Sequence, residues 1–273
     1  MNDIKESLLM IPSGIKEGKL YSFRPNDGTG DFTVVRNSTA TYVDEDGLIK
    51  TALANVPRID WSTGVHTILR ELQSTNLVKF SNPTVSNLDF SIGNISNVIV
   101  DGVNGIYHAD NNNTASYIKS TQSAVQTYTF SCYVEVFDES PLIPNDLTII
   151  IDGSAYSNSN YSIKHFKNNI YKINATKTVS GTTPFVGIRK LTSNTARPVS
   201  VTRFQWELGN SPSSCIPTNG TTVTRLADEI SVPTPAGVTS ITEIINGVEQ
   251  TPITTIPATY SLPVGNINKV TMQ

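Results

Sequence analysis

Strict alternation of apolar and polar side chains is the feature of this sequence that most limits its fold. Two sets alternate between residues 128 and 136: Tyr128, Phe130, Cys132, Val134 and Val136 against Thr129, Ser131, Tyr133 and Glu135. Successive side chains of a strand point to opposite faces of a sheet, so this pattern predicts a strand between a core and solvent. The same period recurs at 147–151, 171–175, 186–188 and 201–208, and no long stretch has helical spacing. We therefore expect an all-β protein.

Turn signals separate the predicted strands. They include Asp101-Gly102, Asn104-Gly105, Asp152-Gly153, Ser180-Gly181 and Ser193-Asn194. Short strands at such spacing favour two sheets packed face to face. We place this β-sandwich at residues 77–216, with Trp206 in its core beside Phe204 and Leu208.

The two flanks read differently from the centre. Residues 1–76 contain a predicted hairpin around the turn 44–47, and residues 52–77 are expected to form an extended arm with little regular structure. The tail, residues 217–273, is rich in Thr and Pro, with a hairpin turn at Asn246-Gly247. Its recurring prolines resist a regular central strand. We expect this tail to have little core of its own and to pack against another subunit or virion protein.

Composition excludes several classes of function. The net charge is −3 and no Lys/Arg cluster occurs, so nucleic-acid binding is not expected. No apolar run approaches the ~20 residues that span a membrane, and the first residues lack the pattern of a signal peptide. Cys132 and Cys215 have no neighbours at metal-ligand spacing. We interpret both as buried thiols and expect no cofactor or metal.

Several short motifs, in a fixed order along the chain, carry a resemblance to a known class of proteins. The N-terminal motifs are Leu8–Gly14, Gly18–Ser22, Gly30–Thr33, Arg36–Thr41, Asn55–Asp60 and Gln73–Leu77. The closing motif comprises Gln205, Glu207, Gly209, Ser214, Ile216, Pro217, Thr218, Val223, Thr224 and Arg225. Together they resemble tailed-bacteriophage virion proteins of the fibre type with a carbohydrate-binding-module-like jelly roll. The sequence departs from that pattern at Leu72, Trp206 and Cys215.

The resemblance implies a location and partners. It implies a jelly-roll sandwich at 77–216, flanked by β-rich assembly segments at 1–76 and 217–273. The protein would be assembled in the host cytoplasm into a virion, in a head or tail fibre or decoration. Its partners would be other virion proteins, further copies of itself in a homotrimer, and glycans of the host cell surface.

No residue set predicts catalysis, so we expect a non-enzyme. His66, His108 and His165 lie in separate segments without a motif, and the acidic run Asp44–Asp46 is typical of a solvated turn. Asp89 and Asp101 alone do not make a calcium site. Two alternatives to adhesion remain: a purely architectural capsid or tail cement protein, and a glycan-degrading enzyme with two close carboxylates.

Sugar binding is the sharper hypothesis, because sugars stack on aromatic rings and hydrogen-bond to Asn, Asp and Gln. The segment 152–161 has that composition, and it contains Tyr156 and Tyr161. Tyr107 and Tyr133 are the second pair of candidates. For each tyrosine taken singly, packing on neighbours or edge strands is the favoured interpretation.

Overall fold

The computed structural model describes residues 6–25, 31–109, 113–120, 125–152, 154–156, 161–179 and 185–273. Strands account for 52% of the residues, and the sheets are antiparallel. The helical pieces within these ranges are 3-10 turns at Pro12–Gly14, Val85–Asn87 and Pro144–Asp146. The prediction of an all-β fold is confirmed.

The chain divides into two compact units. The terminal unit comprises residues 1–73 and 225–273, and the sandwich unit comprises residues 74–224. The strands up to the start of the sandwich unit are β1 (Leu8–Met10), β2 (Ile15–Lys16), β3 (Lys19–Leu20), β4 (Thr33–Val35), β5 (Ala40–Val43), β6 (Ile49–Ala52), β7 (Ile59–Asp60) and β8 (Thr67–Arg70). The sandwich unit contains β9 (Ser74–Asn76), β10 (Phe90–Ile92), β11 (Ile95–Val100), β12 (Val103–His108), β13 (Thr114–Lys119), β14 (Gln126–Val136), β15 (Thr148–Ile151), β16 (Ser154–Tyr156), β17 (Tyr161–Lys167), β18 (Ile170–Val179), β19 (Phe185–Lys190) and β20 (Val199–Leu208). The remaining strands are β21 (Val223–Arg225), β22 (Glu229–Pro233), β23 (Ile241–Ile245), β24 (Val248–Glu249), β25 (Thr259–Ser261) and β26 (Gly265–Met272).

Two sheets contain the strands of the sandwich unit except β9, which pairs with β21. The five-stranded sheet has the order β10-β13-β19-β15-β16, and the six-stranded sheet has the order β11-β12-β20-β14-β18-β17. The chain leaves the six-stranded sheet for β13, returns for β14, and leaves again for β15. Such alternation between two antiparallel sheets is the connectivity of a jelly roll.

Every second side chain of these strands fills the space between the two sheets. The buried core includes Phe130, Cys132, Val134, Ile149, Ile173, Val186, Ile188, Phe204 and Trp206. Trp206 is fully buried and stacks on Tyr128, with ring centroids 5.2 Å apart. Cys132 and Cys215 are buried free thiols, as predicted. Leu208, the last residue of β20, is 58% exposed although its partner Tyr128 is buried, so its assignment to the core was wrong.

The terminal unit has a core of its own, which corrects the view of the flanks. Its largest sheet has the order β24-β23-β26-β8-β7, and β1 pairs with β26. Side chains from both flanks are buried together, among them Leu8, Met10, Ile68, Ile230, Ile241, Ile267 and Val270. The segment predicted as an extended arm supplies β8, which pairs with both β7 and β26. Proline frequency misled here, because the prolines fall between the tail's strands or at the end of β22.

The same dipeptide, Asn-Gly, has different structures at two places in the chain. Asn246-Gly247 forms the predicted hairpin turn, with φ values of 52° and 77°. Asn104-Gly105 lies inside β12 instead, so that turn prediction was wrong. A Cβ on Gly105 would lie 2.7 Å from the carbonyl oxygen of Val201, so glycine permits the close approach of β20.

Candidate functional site

The motif arginines of the terminal unit form a buried ion cluster. Arg36 Nη1 lies 2.6 Å from Asp228 Oδ1, and Arg58 donates to the other oxygen of that carboxylate. Glu71 Oε2 lies 2.7 Å from Arg58 Nη1 and 3.5 Å from Arg225 Nη2. Burial lowers the pKa of Arg58, but the charges of Glu71 and Asp228 outweigh it and leave the pKa raised. These motif residues therefore join the two flanks of the sequence within one unit.

The closing motif has a corresponding role in the sandwich unit. Asn76 Nδ2 donates to the carbonyl of Ile216 at 2.9 Å, and Gln205 Oε1 accepts the N–H of Ile216 at 2.7 Å. Gln205 Nε2 donates to Glu207 Oε1 at 2.7 Å, and the same oxygen accepts the N–H of Ser213 at 2.8 Å. These polar side chains hold the segment after β20 against the sheet and are engaged inside the protein.

Two of the four predicted sugar-binding tyrosines belong to the loop-flanking strands β16 and β17. The ring of Tyr161 packs against the core, and its hydroxyl donates to the carbonyls of Pro144 at 2.6 Å and Leu147 at 3.1 Å. Burial, reinforced by Asp146, raises the pKa of Tyr161. Tyr156 ends β16, and its side chain lies outside the described part of the structure.

The other two tyrosines lie on the outer face of the six-stranded sheet. Tyr107 is half-buried, and its ring packs edge-to-face with that of Phe137, with centroids 5.6 Å apart. Tyr133 is only 5% exposed, with Phe166 packed edge-to-face at 4.9 Å. The structure thus does not gather Tyr161, Tyr107 and Tyr133 into one site.

Charged side chains cover the ring of Tyr133. Arg203 Cζ lies 5.4 Å and Lys172 Nζ 5.8 Å from the ring centroid. Asp101 binds Arg203 at 2.7 Å, and Lys172 Nζ donates to the carbonyl of Ser213 at 3.2 Å, so both cations are held in place. A sugar could stack on Tyr133 only by displacing these paired side chains.

A β-bulge places Arg203 in this position. The register between β14 and β20 shifts between Ser131 and Tyr133, and Arg203 has a φ of 51°. An extra residue in one strand bends it and re-aims the bulged side chain. The side chain of Arg203 consequently lies over the ring of Tyr133 on the outer face of the six-stranded sheet.

The outer face of the five-stranded sheet differs, because the exposed ring of Phe90 lies there over the buried ring of Tyr117, which is 8% exposed. The register aligns Phe90 of β10 with Tyr117 of β13, Gly187 of β19 and Ile150 of β15. The rings of Phe90 and Tyr117 stack in parallel, with an interplanar angle of 3° and centroids 5.5 Å apart. Phe90 is 45% exposed. We call this row, together with the half-buried Phe185, the aromatic face.

Gly187 sets the spacing of the aromatic face. A Cβ at this position would lie 2.1 Å from the carbonyl oxygen of Ser116, so no other residue fits there without moving β13. The ring of Tyr117 and the side chain of Ile150 occupy the positions on either side of the glycine. The result is a low, apolar strip across the sheet.

Polar groups border this strip. Lys119 is exposed, and its Nζ lies 5.6 Å from the centroid of the Phe185 ring. Arg189 Nη2 donates to Asn113 Oδ1 at 2.8 Å. Burial raises the pKa of Tyr117, although the charge and hydrogen bond of Arg189 oppose the change. An apolar strip with amide, ammonium and guanidinium groups at its edge suits the apolar face and the hydroxyls of a sugar ring.

The histidines do not form a catalytic arrangement in the described ranges. His108 is buried between the sheets, with Nδ1 3.1 Å from Thr114 Oγ1 and Nε2 2.8 Å from Ser116 Oγ. Burial, together with the charge of Lys190, lowers its pKa to about 3. His66 pairs with the ring of Trp61, and His165 Nε2 lies 2.7 Å from the carbonyl oxygen of Asn168.

The carboxylates that come nearest the enzymatic alternative are Glu135 and Asp101. Burial and the charge of Asp101 raise the pKa of Glu135. Asp101 is ion-paired to Lys167 and Arg203. Among the residues that the structure describes, no group of three or more His, Cys, Asp or Glu side chains could hold a metal ion, and no helix is long and apolar enough to cross a membrane.

Sequence reasoning missed the aromatic face because its rings come from separate segments of the chain. Only the sheet register brings residues 90, 117 and 187 into one row. One signal was available: in Thr114–Lys119, Tyr117 alternates with Ser116 and Ile118, which face the core. A tyrosine on the opposite face of a predicted strand marks an outward aromatic residue.

No protein-family model matches the chain, and no curated protein matches it. The function of the protein is therefore inferred from the geometry of the two sheet faces and from the motif resemblance.

Proposed function

We propose that this protein is a non-enzymatic virion structural protein of the bacteriophage fibre type, and that its sandwich unit binds host-surface glycans on the aromatic face. The observation that carries the binding proposal is the stacked and exposed Phe90 on Tyr117, bordered by Lys119 and Arg189. The virion location is supported by the ordered motifs alone. The terminal unit would then join the protein to other virion proteins, in agreement with the resemblance.

Weak binding by one sandwich suffices if several copies act together. A pair of stacked aromatic rings gains about 0.5–1.5 kcal/mol beyond the area it buries, and we expect a contact between a ring and a sugar to be of the same order. Linked copies convert later contacts into intramolecular ones, which raises the overall affinity by a factor of roughly 10²–10⁴. The homotrimer implied by the resemblance would supply this multivalency, and light scattering of the purified protein measures its subunit number.

A glycan array with three proteins tests the binding proposal. Wild-type protein should bind a subset of bacterial surface glycans, and Phe90→Ala should weaken that binding by about tenfold because the exposed ring is lost. Tyr107→Ala is the matched control, since it removes a half-buried ring from the other sheet. Loss of binding in Tyr107→Ala with full binding in Phe90→Ala would overturn the choice of face.

The array, together with an assay for released reducing sugars, separates the two alternative functions. A silent array with well-folded protein favours an architectural cement protein. Release of reducing sugars from host polysaccharide, abolished by Glu135→Gln, would establish the enzymatic alternative, because Glu135 is the acid whose pKa is raised beside a second carboxylate.

A further inference from the structure

A pocket of the terminal unit takes no part in the proposed glycan binding, and its role rests on the attachment that we propose for this unit. Its volume is about 410 Å³, within the usual range for ligand pockets. Buried Pro12 and Pro57 line it together with Ile59, and the rings of Tyr42 and Trp61 complete the apolar part. Neither the motif cluster at Asp228 nor the aromatic face contributes to this lining.

The aromatic side of the pocket is held in place by backbone hydrogen bonds. Trp61 donates its N–H to the carbonyl of Val43 at 2.8 Å, and Val43 donates to Asp60 Oδ1 at 2.8 Å. His66 closes this side with its ring edge-to-face against Trp61, at a centroid distance of 5.1 Å. The ring of Trp61 is therefore presented on an ordered frame rather than on an isolated loop.

The acidic side of the pocket comes from the hairpin turn between β5 and β6. Asp44 and Glu45 both line the pocket, and no lysine or arginine of the described ranges does. Asp44 Oδ1 accepts the N–H of Leu48 at 2.7 Å, and its other oxygen lies 3.7 Å from Lys50 Nζ, so Asp44 mainly holds the turn. Glu45 is exposed and adds a second negative charge at the rim.

We propose that this pocket binds an arginine side chain from an extended segment of a partner protein. A planar guanidinium can stack on Trp61 or Tyr42 and hydrogen-bond to Glu45, while its methylenes contact the prolines. The two carboxylates of the lining, Asp44 and Glu45, lie beside its aromatic and proline side chains, so a cation with an apolar stem matches this pocket. The proposal concerns attachment through the terminal unit and is independent of glycan binding.

The two tryptophans of the chain make a direct test possible. Trp61 lines the pocket, and Trp206 is fully buried in the sandwich core. The probe is the blocked peptide acetyl-Gly-Gly-Arg-Gly-Gly-amide, titrated into ¹⁵N-labelled full-length protein at low salt. The indole N–H signal of Trp61 should shift saturably and that of Trp206 should not. The same peptide with citrulline in place of arginine, which keeps the shape but lacks the charge, should bind about tenfold more weakly.

Matched variants separate charge at the pocket from charge in general. Glu45→Gln should weaken peptide binding by about fivefold, whereas Asp46→Asn, the same charge change at the next residue outside the lining, should not. Trp61→Leu should abolish saturable binding, measured by calorimetry, while unchanged backbone amide signals of Ile241 and Val270, in the core of the terminal unit, report that this unit remains folded. Equal binding of the citrulline peptide, or a Trp61 shift with maltohexaose but not with the arginine peptide, would overturn the proposal.

Discussion

The sandwich unit and the terminal unit are stabilised in different ways. The interior of the sandwich is a single large apolar cluster, built from alternate residues of long strands. The terminal unit has shorter strands and a smaller apolar cluster, and beside it lie three buried arginines around one aspartate. A chain whose flanks are far apart in sequence gains specificity from charges that pair in only one arrangement.

This difference explains what the motif residues do. Arg36, Arg58 and Arg225 close the terminal unit, and Gln205 and Glu207 fasten the segment after β20. Short motifs in a fixed order can therefore be a signature of folding, while the ligand surface lies on residues outside them. The aromatic face contains none of the motif residues.

The largest expected effect breaks the ion cluster of the terminal unit. Asp228→Asn leaves Arg36 and Arg58 buried without their shared carboxylate, which should cost about 3–5 kcal/mol. The Trp61 indole signal should disappear at a lower urea concentration while the Trp206 signal keeps its midpoint. Glu229→Gln, an exposed neighbour with the same charge change, is the control. Equal shifts of both signals would show that the two units unfold together.

A cavity in the sandwich core should destabilise the sandwich unit and leave the terminal unit unchanged. Ile173 is fully buried between the sheets, so Ile173→Ala should cost about 2–4 kcal/mol. The Trp206 signal should now have its unfolding midpoint at a lower urea concentration, and the midpoint of the Trp61 signal should not change. Ile173→Val, which removes one methyl group, should cost about 0.5–1.5 kcal/mol and serves as the graded control. A change confined to Trp61 would contradict the assignment of this core.

Acid should weaken the sandwich through His108. Its pKa is about 3 when folded and near 6.5 when unfolded, so the unfolded chain binds the additional proton. Stability is then fully present above pH 6.5 and is lost as the pH falls toward 3. The loss between pH 7 and pH 5 should be about 2 kcal/mol. Urea titrations of wild type and His108→Asn measure it, and a variant with the same slope between these pH values would refute the assignment.

The smallest effect concerns Tyr161, one of the predicted sugar-binding residues. Tyr161→Phe removes the hydroxyl that donates to Pro144 and Leu147, which should cost about 0.5–1.5 kcal/mol. Glycan binding should not change, because the ring packs toward the core. Parallel unfolding and array measurements check both statements. Reduced glycan binding without a change in stability would restore Tyr161 as a contact residue.

The sequence predicted those parts of the fold that depend on local pattern. The alternation at residues 128–136 correctly predicted β14 and its buried face, and Asn246-Gly247 correctly predicted a turn. It did not predict that β8 and β26 would pair, because that contact joins residues almost 200 positions apart. The aromatic face was missed for the same reason, because the sequence of a single strand does not show which residues of other strands will lie beside it.

The central claim is that a sugar contacts the aromatic face, and the NMR signals of the phenylalanine rings test it most directly. The sample is full-length protein with ¹³C-labelled phenylalanine, titrated with the glycan that gives the strongest array signal, with assignments from Phe90→Leu and Phe137→Leu. We predict saturable shifts at Phe90 and Phe185 and none at Phe137. Phe137 is the control, because it is 50% exposed but lies beside Tyr107. Shifts at Phe137 alone, or no shift at any of the rings, would contradict the claim.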